Sequence, residues 1–98
     1  MEINAKDKNG LTPMHWATLG GRIEVMKWLK EQGVDINAKD GNGATFMHAA
    51  AFAGRVEAMK WLKEQGADIN AENNEGKTPL SVAQKDETKA WLRANGAK

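Results

Sequence analysis

The chain reads as an all-α repeat solenoid, in which stacked helix-turn-helix units are joined by β-hairpin-like loops. Three observations predict this. Residues 4–36 align without gaps to residues 37–69, with identity at 23 of 33 columns. A third copy begins at Asn70 (NAENNEGKTPLSVA) and then loses three residues, so that Trp91 follows Trp61 by 30 positions rather than 33. Eight of the ten glycines fall in shared columns: Gly10/Gly43/Gly76, Gly21/Gly54 and Gly33/Gly66/Gly96. A fixed period of this length marks a quasi-one-dimensional stack, whose units bury their apolar faces only against one another. The 98 residues then form a single domain, 1–98, of units about 4–36, 37–69 and 70–98.

Each element has a local cause. Thr12-Pro13 and Thr78-Pro79 place a capping hydroxyl before a proline at the first helical position. The first helix of unit one runs to about Leu19 and is stopped by Gly20-Gly21. The second spans roughly Ile23 to Gln32, with Val25, Met26 and Leu29 at helical spacing and Gly33 just past its end. Its copy runs from about Val56 to Gln65 and ends at Gly66. Extended segments follow at Val34–Ile36 and Ala67–Ile69. A turn is expected at Asp40-Gly41-Asn42-Gly43, where Asn and Gly tolerate positive φ.

Composition excludes several classes of function. A net charge of +1 gives no electrostatic footprint for nucleic acid or an anionic membrane. The longest uncharged stretch, 41–54, is too short and too polar to span a bilayer, and the start lacks a signal-peptide pattern. With no cysteine there are no disulfides, thiolate nucleophiles or cysteine-based zinc sites, and a cytoplasmic, intracellular setting is expected. The Asp35-Ile36-Asn37 run fails as a calcium loop, since its sixth position is Asp40 rather than glycine and its twelfth is Phe46 rather than glutamate. Gly41-Asn42-Gly43 lacks the third glycine and lysine of a phosphate loop.

The runs GLTPMHWA, GATFMHAA and GKTPLSVA resemble the Gly-x-Thr-Pro-Leu-His-x-Ala signature of ankyrin repeats. QGVDINAKD and QGADINAEN resemble the family's Gly-Ala-Asp-x-Asn-Ala stretch, and the resemblance covers nearly the whole chain. It implies that His15 and His48 bond to backbone and lock the turn, with Ser81 a substitution in the same column. It also implies a non-catalytic protein-protein interaction module, without cofactors, whose partner is another protein held on the concave surface. By that resemblance the exposed columns are Lys8, Asn9, Leu11 and Leu19, then Gly41, Asn42, Ala44 and Phe52, then Asn74, Glu75 and Lys77.

Internal comparison points to the same surface. Seven of the ten differing columns (8/41, 11/44, 13/46, 16/49, 18/51, 19/52 and 20/53) lie at the hairpin tip and first helix, and residues 12–21 and 44–54 carry no charge. Phe52 is the expected anchor. Phe46, where the other units have proline, is expected to exchange bulk with the Trp16/Ala49 column, or else to stand exposed as an anchor. Glu and Lys gather on the second helices, where Lys27–Glu31 and Lys60–Glu64 are i,i+4 pairs on a solvated back. Trp28, Trp61 and Trp91 share a column and are expected to form a partly buried ladder, with Lys30, Lys63 and Arg93 reaching past it. Trp16, Ile23 and Met26 are expected to leave the face of unit one apolar, while Gln84, Lys85, Asp86, Glu87 and Lys89 make unit three polar. The alternative function is a self-assembling repeat unit that pairs through the first face, giving a monomer or a weak homodimer.

Overall fold

The computed structural model describes residues 3–98. Among these residues six helices follow one another: α1 (Pro13–Leu19), α2 (Ile23–Glu31), α3 (Phe46–Ala53), α4 (Val56–Glu64), α5 (Pro79–Val82) and α6 (Asp86–Ala94). The first helices form one layer, with α3 packed between α1 and α5, and the second helices form another, with α4 beside α2. Among the described residues no helix is long and apolar enough to cross a membrane.

The first helices start as the sequence predicts. Thr12, Thr45 and Thr78 are extended N-caps, accepting from the amides of His15, His48 and Ser81. In units one and two the bond is reciprocated: the Thr12 amide donates to His15 Nδ1 at 3.0 Å and the Thr45 amide to His48 Nδ1 at 3.1 Å. In unit three Ser81 Oγ lies 3.1 Å from Thr78 Oγ1 in place of the imidazole contact. The three-residue loss falls on the first helix, so α5 has 4 residues where α3 has 8.

The second helices end in a shared motif. In α2 the Gly33 amide donates to the Lys30 carbonyl and the Val34 amide to the Leu29 carbonyl, a Schellman pair, with Gly33 at φ +105°. Gly66-Ala67 and Gly96-Ala97 repeat it on α4 and α6. Leu29, Leu62 and Leu92, whose carbonyls accept these bonds, are fully buried. Each contributes about 1.5–3 kcal/mol by leaving water.

Two loop expectations change. The 34–36 segment is not extended throughout, because Asp35 draws it into a turn: its Oδ1 accepts from the Asn37 amide at 2.9 Å and its carbonyl from the Ala38 amide at 3.1 Å. In the Asp40–Gly43 turn only Gly43 has positive φ, at +77°. The tip is held instead by Asp40 Oδ1, which accepts from the Asn42 and Ala44 amides at 2.8 and 2.9 Å. Asp7 and Asn73 do the same at the other tips, closing hairpin-like turns without a strand among the described residues.

The back also departs in detail. The ion pairs are Glu24–Lys27 at 3.5 Å and Glu57–Lys60 at 3.3 Å, spaced i,i+3 rather than i,i+4. Each glutamate lies nearer the positive helix N-terminus and each lysine beyond it, the orientation that the helix dipole favours. Of the tryptophan column, Trp61 is buried, Trp91 half-buried and Trp28 exposed. Met26, expected on the open face of unit one, is fully buried, and Ile23 is half-buried. The apolar residues that this face exposes are Trp16, Val25 and Trp28.

Candidate protein-interaction surface

The concave side is built where the first helices meet the tips. Because α1, α3 and α5 stack side by side, residues at the ends of successive first helices come together. Leu11, Leu19, Ala44 and Phe52 line one cleft of about 330 Å³ with His15, Asp40, Thr45, His48, Ala49, Asn73 and Val82. Phe52 is 57% exposed, while Leu11, Leu19 and Ala44 are half-buried. Asp40 is the one formally charged residue in this lining. A concave, mainly apolar surface with a few fixed polar groups is the usual anatomy of a binding site.

The remaining expected contact residues stand apart from the cleft. Lys8, Asn9, Gly41, Asn42, Asn74, Glu75 and Lys77 are exposed at the three tips and do not line it. Asn74 is committed within the molecule: its amide donates to the Asn42 carbonyl at 2.9 Å and its side chain to the Gly41 carbonyl at 3.3 Å. The second and third tips are thereby tied together. Gly43 permits this approach, since a Cβ there would collide with the Asn74 side chain and lie 2.9 Å from its amide nitrogen.

The histidines brace the cleft. Because His48 Nδ1 accepts the Thr45 amide, its proton sits on Nε2, which donates to the Lys77 carbonyl at 2.8 Å and joins unit two to unit three. His15 meets the ring of Phe46 edge-on, with centroids 4.9 Å apart. Burial holds the His15 pKa below the ordinary histidine value, although the Asp40 and Asp7 charges oppose the shift. At the first tip the Leu11 amide, ahead of the Asn9 amide and the Trp16 indole, holds the Asp7 carboxyl below its usual range.

Phe46 is buried at 3% exposure, so the anchor role for it is set aside. The exchange of bulk with Trp16 is corrected as well. Trp16 is 55% exposed and hydrogen-bonds to Asp7 Oδ2 at 3.0 Å, so it fills no core volume that Phe46 replaces. Sequence reasoning missed Asp40, Asn73, Ala49 and Val82 as lining residues. The recurrence of a short polar side chain at 7, 40 and 73 was the available signal for the tips, since Asp and Asn close such turns through their own backbone.

A family model described as ankyrin repeats (many copies) matches residues 1–29, 20–63 and 47–84. A palmitoyltransferase of Lachancea kluyveri is 48% identical over 33 residues, covering 34% of this chain and 4% of that protein. A Vapyrin-like protein of Medicago truncatula is 58% identical over 26 residues, covering 26% of this chain and 6% of that protein. The chain spans a small fraction of the length of these relatives, and the first match is one repeat long, so palmitoyl transfer does not carry over from it. Ankyrin repeats are in general protein-protein interaction modules and generally non-catalytic. With the capped helix pairs, the glycine-ended second helices and a family match running from residue 1 to residue 84, this chain belongs to the ankyrin-repeat family.

Proposed function

We propose that this domain binds another protein through its concave side, with the Leu11–Leu19–Ala44–Phe52 cleft as the centre and the exposed tips as the rim. One observation carries the reading: Phe52, an aromatic side chain with 57% exposure, stands over an apolar cleft. Binding energy concentrates in a few such anchors surrounded by polar contacts. Lys8, Asn9, Asn42, Glu75 and Lys77 supply that surround, and Asn74 and Gly41 act mainly by fixing the tips. The convex helices carry solvated ion pairs, whose contribution is small. Photo-crosslinking tests the assignment, with the reactive group placed at Leu19 in one variant and at Lys63 in another. The same partner band is expected from Leu19 and not from Lys63; the reverse pattern overturns the reading.

A second reading has its own support. Trp16, Val25 and Trp28 together expose apolar surface on unit one, where Ala58 and Trp61 of the matching columns are buried. Two such faces pair weakly in this reading. Light scattering across a concentration series tests it: a mass rising toward twice that of the monomer, abolished by Trp28→Lys, supports pairing, and a constant monomer mass overturns it.

A further inference from the structure

Units one and two share a hydrogen-bonding plan except at one point, and that point lies in the cleft. Asp7 and Asp40 are equivalent. Each gives Oδ1 to two amides of its own tip. Asp7 Oδ2 then accepts the Trp16 indole N–H at 3.0 Å. In unit two the Trp16 column holds Ala49, and Asp40 Oδ2 accepts no hydrogen bond among the described residues. Ala49 and Asp40 both line the 330 Å³ cleft, which therefore opens where unit one places an indole.

We propose that this cleft receives a tryptophan side chain of the partner protein, its indole N–H donating to Asp40 Oδ2. The inference rests on the concave binding reading and names the chemistry that this surface selects. The apolar walls, Leu11, Leu19, Ala44 and Phe52, match a flat aromatic body, and Phe52 supplies an aromatic ring beside it. The single carboxylate in the lining matches the one polar group of an indole, and Trp16 on Asp7 shows the geometry within the same molecule. Asp40 is half-buried where Asp7 is exposed. A donor docked on Asp40 is thus better shielded from competing water, and an acceptor left unpaired there is more costly. Leucine or phenylalanine would fill the space and leave Oδ2 unmet.

Titration of the isotope-labelled domain by NMR tests this, with N-acetyl-tryptophan amide as probe and its N1-methyl analogue and N-acetyl-phenylalanine amide as comparisons. Shifts are expected at Asp40, Ala49 and Phe52, with the tryptophan probe binding about threefold to tenfold more tightly than either comparison, the worth of one net hydrogen bond. Asp40→Asn should erase that preference while keeping the turn, because Asn73 makes the same turn bonds in unit three. Ala49→Trp should refill the cleft with the chain's own indole and abolish probe binding in a folded domain. Equal binding of the three probes, shifts confined to other residues, or a preference that survives Asp40→Asn overturns the proposal. The wider reading fails separately: partner binding lost in Phe52→Ala but kept in Ala49→Trp removes the indole and leaves the concave site, and binding kept in both removes the site.

Discussion

Trp28 and Trp61 hold the same position on successive second helices, yet Trp28 is 44% exposed and Trp61 7%. Trp91, the third of the column, lines a groove with Lys60, Lys63 and Glu64 of α4, so the indole in this column faces the preceding helix. Trp61 has α2 there, and Trp28 has no helix on that side among the described residues. The neighbouring column repeats the contrast, with Val25 at 46% and Ala58 at 0%. Identical side chains thus do different things because of their place in the stack.

Alanine substitution measures that difference. Trp61→Ala should destabilise the domain by about 3 kcal/mol, the range for truncating a buried aromatic. Trp28→Ala should lie within about 1 kcal/mol of the parent in urea unfolding. Equal losses at the two positions would mean that stacking does not set the role of the column.

The tips give a glycine test. Gly43 combines φ +77° with close approach to Asn74, whereas Gly41 has no positive φ and, among the described residues, nothing within 4 Å of where its Cβ would stand. Gly43→Ala should cost about 1–3 kcal/mol, the range for strained backbone. Gly41→Ala should be neutral or stabilise slightly by restricting the unfolded chain. Thermal unfolding of both variants checks this, and a harmless Gly43→Ala would contradict the tight link between the second and third tips.

Thr88 stands in the column of Val25 and Ala58, fully buried, and its Oγ1 has no hydrogen-bond partner among the described residues. A buried hydroxyl without a partner is destabilising, and valine keeps its shape. Thr88→Val should raise stability by about 1 kcal/mol. A fall in the unfolding midpoint would show that the hydroxyl is satisfied in solution.

Acid should weaken the fold through His15. Its folded pKa is depressed, first by burial, so below the ordinary value of 6.5 the unfolded chain binds the proton more readily. The contribution is complete above that value and is lost as pH falls through it toward the lower folded pKa. NMR titration of the His15 ring should give a midpoint below 6.5, together with an unfolding midpoint that declines as pH falls through 6.5. A ring titrating at or above 6.5 contradicts the burial argument.

Much of the fold was legible because its signals are local and repeated three times. The Thr12 and Thr78 caps and the Gly33, Gly66 and Gly96 helix ends all follow from short-range backbone chemistry. Leu11, Leu19, Ala44 and Phe52 were named by the family resemblance and stand in columns that vary between units; that they line one cleft is a property of the stack. What escaped depended on neighbours. The burial of Met26, the exposure of Trp16 and the use of Asn74 as a tie between tips are set by how units stack, which one unit's sequence does not contain. Each lysine has one glutamate three residues before it and another four residues after it, and it pairs with the nearer in sequence.

The central claim is that the concave side, anchored by Phe52, carries binding. The direct measurement is the affinity of a partner recovered by unbiased pull-down, determined for the parent, for Phe52→Ala and for the double variant Lys27→Glu/Lys60→Glu. Phe52→Ala should weaken binding by about 2 kcal/mol or more, the range of an interface hot spot, with an unfolding midpoint close to the parent's. The back variant should bind nearly as the parent does. Unchanged affinity in Phe52→Ala, with binding abolished in the Lys27→Glu/Lys60→Glu variant, would place the partner on the convex surface and contradict the account.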